Sequence, residues 1–103
     1  MGNYRGRLDI LADILDVVSN KAKKTQIMYR ANLSYKVLQR YLSELAGASL
    51  ITFEDENRCY MLTEKGLEFL QTYREYDRSS RSIEKRLRVA DNKKRRLFEL
   101  CPP

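Results

Sequence analysis

The side chains best suited to chemistry lie in one short segment, Ser34 to Leu45. Placed on a helix, Leu38, Tyr41, Leu42 and Leu45 share one face while Lys36, Gln39, Arg40 and Ser43 share the opposite one. The second set is a recognition set. A guanidinium such as that of Arg40 matches O6 and N7 of guanine or a phosphate, and the amide of Gln39 matches adenine. The ammonium of Lys36 suits phosphate or guanine, and the hydroxyl of Ser43 adds a weak contact. Reacting groups are missing: the 103 residues include no histidine, and the four glycines stand singly and form no phosphate loop. No nucleophile has a matching base. Cys59 and Cys101 are too few and too far apart for a metal cluster, and Glu54, Asp55 and Glu56 are adjacent carboxylates of the kind that a turn leaves solvated. The expectation is therefore no catalytic residue, no metal and no cofactor.

The elements that must hold this face follow from the hydrophobic spacing. Leu8, Leu11, Ile14, Leu15 and Val18 predict an amphipathic helix from Leu8 to about Ser19, ended by Ser19-Asn20. Lys21, Lys23 and Lys24 lead to Thr25, read as the N-cap of a short helix that carries Ile27, Met28 and Tyr29 and stops near Ala31-Asn32. After a tight turn, Ser34 caps the helix bearing the polar face. Leu50-Ile51-Thr52-Phe53 and Arg58-Cys59-Tyr60-Met61-Leu62, separated by Asp55-Glu56-Asn57, spell a hairpin. Thr63 caps a last helix, in which Gly66 is the one weak helix former.

From Phe69 onward the pattern changes to a heptad seam: Phe69, Tyr73, Tyr76, Ser80, Ile83, Leu87, Ala90, Lys94 and Leu97 follow at alternating steps of four and three. A helix from Glu64 to Phe98 is about 50 Å long, more than a small domain can cover, so its far half calls for a partner, most simply a second copy. Ser80 and Lys94 weaken that seam and help select its register. The expected fold is mainly α with a small β-hairpin: a winged helix-turn-helix unit over residues 1–66, followed by a C-terminal helix over 67–103 that forms a dimeric coiled coil.

Twenty Lys and Arg against fourteen Asp and Glu leave a net charge of +6 and a pI near 9.5, favouring a polyanionic partner. Nucleic acid comes first and an anionic membrane surface second. No apolar run approaches a membrane span, and the Met1–Arg7 lead-in lacks a signal-like pattern, so a cytoplasmic, nucleoid-associated protein without membrane attachment is expected. The residues expected to touch double-stranded DNA are Lys24, Thr25, Arg30, Ser34, Tyr35, Lys36, Gln39, Arg40 and Arg58. Arg5, Arg7, Lys21 and Lys23 are further phosphate-class candidates. The carboxylates at the hairpin tip repel phosphate and argue against deep insertion there. In the last helix Arg81, Lys85, Arg86, Arg88, Lys93, Lys94, Arg95 and Arg96 outnumber Glu84 and Asp91. Two readings stand for them, a second DNA-touching surface or the solvated flanks of a coiled coil. The seam residues expected to dimerise the chain are Phe69, Tyr73, Tyr76, Ile83, Leu87, Ala90 and Leu97. The competing functional reading is a protein-interaction module that uses both units without DNA.

Three stretches carry a family resemblance: Lys24-Thr25-Gln26-Ile27-Met28-Tyr29-Arg30-Ala31-Asn32-Leu33-Ser34-Tyr35, then Tyr41-Leu42 with Leu50-Ile51, then Tyr60-Met61-Leu62-Thr63-Glu64-Lys65-Gly66. The chain resembles the archaeal winged-helix proteins of the 10a chromatin type known from Sulfolobus. The resemblance implies a homodimer joined by an antiparallel coiled coil of the last helices, with a DNA-binding unit at each end. It also implies that the Ser34–Leu45 helix is the recognition helix and the hairpin the wing. Such proteins usually place a glycine before Leu-Ile where this chain has Ala48-Ser49, so a different turn into the first strand is expected.

Overall fold

A computed structural model describes residues 5–103. In chain order it contains α1 (Arg7–Val18), α2 (Lys24–Arg30), α3 (Tyr35–Gly47), β1 (Ile51–Glu54), β2 (Cys59–Leu62) and α4 (Glu64–Leu100). The chain divides into two units, residues 1–73 and 74–103.

In the first unit, one core joins the apolar faces of all four helices to the hairpin. Ile14, Leu15, Val18, Ile27, Leu38 and Leu45 are sealed from solvent, and Ala22, Leu42, Leu50, Ile51 and Leu70 are nearly so. Leu8, read as part of the buried face of α1, is about half exposed; the buried stripe is Leu11, Ala12, Ile14, Leu15 and Val18. The start of α1 is fixed by Asp9, whose carboxylate accepts from the Gly6 backbone at 2.9 Å and from the Tyr73 hydroxyl of α4.

α2 begins two residues before the expectation. Lys23, not Thr25, is the N-cap, and the Gln26 side chain accepts its backbone N–H at 2.9 Å. The cause is non-local. Ala22 exchanges both backbone hydrogen bonds with Tyr60 of β2, at 3.2 and 2.8 Å, so the chain stays extended through Lys23 before it coils. Thr25 therefore sits inside the first turn. α2 ends with Asn32 in the left-handed region (φ 53°), donating to the Tyr29 carbonyl while Leu33 donates to that of Met28, the paired bonds of a Schellman cap.

α3 opens where expected: the Ser34 hydroxyl accepts from the Val37 backbone at 3.3 Å. It closes with the same motif as α2. Ser49 donates to Ala46 and Leu50 to Leu45, with Ser49 at φ 63°. Serine thus takes a left-handed conformation of the kind glycine adopts most readily.

β1 and β2 pair antiparallel, Ile51 opposite Leu62 through Glu54 opposite Cys59. Phe53 and Tyr60 face each other with ring centroids 5.0 Å apart. Arg58, read as a strand residue, belongs to the turn at φ 52°, and Leu50 lies just before the strand. The Leu50 carbonyl accepts from Thr63 at 3.1 Å, and the Thr63 hydroxyl caps α4 by accepting from Gly66 at 3.0 Å. Gly66 lies so close to this junction that a Cβ there would stand 2.1 Å from the Leu50 oxygen.

α4 runs for 37 residues, about 55 Å at 1.5 Å per residue. Its first turns complete the core through Gly66, Phe69, Leu70 and Tyr73. In the second unit every residue from Arg81 on is exposed, including Ile83, Leu87 and Leu97 at 61–66% of full exposure. Among the described residues no helix is long and apolar enough to cross a membrane.

Candidate nucleic-acid interface

α2 and α3, joined by the turn Ala31–Ser34, form the helix-turn-helix, and the sealed side chains Leu38, Leu42 and Leu45 fix the rotation of α3 about its axis. That rotation turns Lys36, Gln39, Arg40 and Ser43 to solvent. Lys36 has no hydrogen bond or ion pair among the described residues. The Arg40 guanidinium lies 5.3 Å from the centroid of the Tyr41 ring, a cation–π contact that leaves its donors unclaimed.

Lys24 crosses from α2 to α3. Its ammonium donates to Oε1 of Gln39 and stands 4.1 Å from the centroid of the Tyr35 ring. Because an ammonium can only donate, the amide oxygen of Gln39 must face it, leaving the NH₂ free. Tyr35 itself is 62% exposed beside the helix start. Thr25, Arg30 and Ser34 are also exposed. Among the described residues, Lys24 is the α2 candidate in contact with α3, through Gln39 and Tyr35. Arg58 does not join them through any contact; it sits in the hairpin turn, where Asn57 donates to Glu54 at 3.0 Å.

Two further candidates are otherwise engaged. Arg5 donates to Asp13 at 2.7 Å and to the carbonyls of Ala31 and Asn32 at 2.8 and 3.2 Å, so it caps the C-terminal end of α2 and is not free for phosphate. Arg7 donates to Glu44 at 2.7 Å, and this hydrogen bond, reinforced by the carboxylate charge, holds its pKa above the ordinary value. Both partners lie far away in sequence, which hides them from a reading of local pattern.

One residue escaped the sequence reading. Tyr29, expected in the short helix beside Ile27 and Met28 with no role of its own, is 87% exposed, on the same outer face as Thr25. The available signal was the helical wheel, which sets Tyr29 opposite the sealed Ile27.

Of the seam residues, Phe69 and Tyr73 pack against the core of their own chain, while Tyr76, Ile83, Leu87, Ala90 and Leu97 lie in the exposed part of α4. Among the described residues no three His, Cys, Asp or Glu side chains are gathered to hold a metal.

Three helices, a helix-turn-helix pair and a hairpin bonded to the segment before α2 define a winged helix-turn-helix, and residues 4–81 match the family of that description. The chain belongs to the winged helix-turn-helix family. Among solved structures it is similar to Sso10a-2, described as a DNA-binding protein from Sulfolobus solfataricus, at 30% identity and a TM-score of 0.70, covering 96% of this chain and 99% of that one. The fold is shared with ZitR of Lactococcus lactis at 14% identity and a TM-score of 0.59, over 97% of this chain and 76% of that one. A stretch of 63 residues, 60% of this chain, is 41% identical to an uncharacterised protein of Methanocaldococcus jannaschii, of which it spans only 29%.

Proposed function

We propose that this chain binds double-stranded DNA without catalysing a reaction, as a cytoplasmic, nucleoid-associated homodimer acting as a transcription regulator or chromatin-type protein. The observation that carries the reading is the outer face of α3. Lys36 and Arg40 stand free of ion pairs on a helix whose opposite face is sealed in the core, which is the presentation a recognition helix needs in a major groove. The 30% likeness to a protein described as DNA-binding supports it. Lys24, Thr25, Arg30, Ser34 and Tyr35 contribute phosphate contacts around that face, and Gln39 and Arg40 read base edges. Arg58 adds a contact from the wing turn.

Dimerisation runs along Tyr76, Ile83, Leu87, Ala90 and Leu97, with Phe69 and Tyr73 at the root of the seam. Pairing is antiparallel by the family resemblance, and that direction keeps the basic distal halves of α4 apart. One observation favours the opposite direction. Asp77, Glu84 and Asp91 form a row on one flank of the seam, and Ser79, Arg86 and Lys93 one on the other. Parallel pairing sets unlike rows against each other, antiparallel pairing like rows.

The test is the affinity of the purified protein for a random-sequence duplex across ~50–300 mM salt, with its mass in solution. Binding that falls steeply with salt and weakens in the double variant Gln39→Ala, Arg40→Ala, with helicity and mass unchanged, meets the proposal. No binding by the parent at ~50 mM salt hands the chain to the protein-interaction reading, for which the acidic tip Glu54-Asp55-Glu56 is the supporting feature.

A further inference from the structure

The charge of this chain is unevenly placed. Residues 1–73 hold ten Lys and Arg against nine Asp and Glu, whereas residues 74–103 hold ten against five, so +5 of the net +6 belongs to the second unit. Within that unit the cations are sorted by face. Arg74, Arg78, Arg81, Lys85, Arg88 and Arg95 follow at the four-and-three steps of a single stripe, in which only Asn92 is uncharged. No carboxylate interrupts the stripe from Arg74 to Arg95. It lies on the side of α4 opposite the apolar seam, because its positions fall midway between those of Tyr76, Ile83, Leu87 and Leu97 on the heptad wheel. Asp77, Glu84 and Asp91 sit on a flank between the two.

All members of the stripe are exposed. Arg81 pairs with Asp77 at 3.1 Å on the exposed surface, an interaction of little strength, while Arg78, Lys85, Arg88 and Arg95 make no ion pair among the described residues. A dimer closed along the seam leaves the stripe uncovered.

From this geometry we propose that the outer face of α4, from Arg74 to Arg95, is a second duplex-binding surface that contacts phosphates without reading sequence. It rests on the reading of the chain as a DNA-binding protein and adds a site distinct from α3. Six cations along about 32 Å of helix match the length of about nine base pairs, and a duplex carries one charge per about 1.7 Å of axis. The members are five arginines and one lysine, donors suited to phosphate, and none of them need enter a groove to reach the backbone. An anionic membrane is a weaker occupant, because the stripe itself holds no apolar side chain and the one exposed apolar neighbour on its border, Val89, is too small to anchor among lipid tails.

The experiment compares two triple variants of the full chain that remove equal charge from different positions: Arg81→Gln, Lys85→Gln, Arg88→Gln on the stripe, and Arg86→Gln, Lys93→Gln, Arg96→Gln off it. Glutamine keeps the helix propensity, and helicity and mass in solution are checked for both. Affinity for a random-sequence duplex is measured across ~50–300 mM salt. Each lost phosphate contact lowers the slope of log K against log salt by about 0.9, so the stripe variant is expected to lose between two and three units of slope. The off-stripe variant is expected to lose less than one. Equal slopes in the two variants, or no loss in the stripe variant, overturn the proposal while leaving α3 as the DNA site. Failure of the parent protein to bind at ~50 mM salt overturns the underlying reading as well. Binding to vesicles with about 30% anionic lipid that only the stripe variant loses, with its duplex slope unchanged, also overturns the proposal and assigns the stripe to a membrane.

Discussion

Replacing Gly66 with alanine reverses a familiar sign. In an open helix the change stabilises by about 0.5–1 kcal/mol, because alanine loses less backbone entropy on folding. At position 66 the new Cβ would stand 2.1 Å from the Leu50 oxygen, 2.9 Å from Cδ1 of Leu62 and 3.1 Å from the Leu50 carbonyl carbon. An ordinary carbon–oxygen contact is about 3.3 Å, so α4 and the entry to β1 must separate by about 1 Å. The Leu50 carbonyl already accepts from Thr63 at 3.1 Å, and the Thr63 hydroxyl donates to Ser49 at 2.7 Å, so the separation stretches both bonds. Overpacking costs about 1–3 kcal/mol and each weakened hydrogen bond about 1 kcal/mol. Set against the helix gain, the net loss is about 2–4 kcal/mol, a fall in the unfolding midpoint of about 10–30 °C for a domain of this size. Thermal and urea unfolding by circular dichroism, at one fixed protein concentration because a dimer's midpoint depends on it, measures the effect. An unchanged or raised midpoint would refute the close approach of α4 to Leu50.

Ser49→Gly is expected to raise stability by up to about 1 kcal/mol, since relief of the left-handed strain exceeds the entropy that glycine adds to the unfolded chain; a urea midpoint that falls would contradict this. Arg5→Met, which removes the cap on α2 and the partner of Asp13, is expected to cost about 1–2 kcal/mol in the same assay while leaving the salt slope of duplex binding unchanged. Leu87→Glu buries a carboxylate in the seam and is expected to give a monomer at micromolar concentration by light scattering; a persisting dimer assigns the interface elsewhere. In a Cys59→Ser background, antiparallel pairing keeps the two Cys101 thiols of a dimer apart, so mild oxidation should leave the chains unlinked. Rapid formation of a disulfide-linked dimer at low protein concentration would establish the parallel direction.

The features legible in the sequence are those governed by neighbours along the chain. The buried stripe of α3 and the caps Ser34 and Thr63 depend on spacings of three and four residues and on a hydroxyl placed before a helix, and all stand where they were expected. The end of α2 near Asn32 follows for the same reason. What was illegible depends on distant pairing. Lys23 replaces Thr25 as a cap because Ala22 is bonded to Tyr60, 38 positions away; Arg5 and Arg7 are claimed by Ala31, Asn32 and Glu44 across 26 to 37 positions. The constraint on Gly66 comes from a carbonyl that local pattern does not reveal. For the candidate interface, the α3 face was readable, whereas the bridge from Lys24 to Gln39 needed the relative placement of two helices.

The backbone exchange between Ala22 and Tyr60 gives the segment joining α1 to α2 a fixed length. One residue inserted before Ala22 would slide Lys21 into the paired position and turn the small, buried alanine outward, because successive side chains of an extended segment point to opposite sides. The turn Asp55–Arg58, exposed and bonded to neither helix, carries no such constraint. Among relatives of this chain, length variation should therefore collect at the tip of the hairpin and be absent between α1 and α2. The segment that looks most like a plain linker is the one least able to change in size.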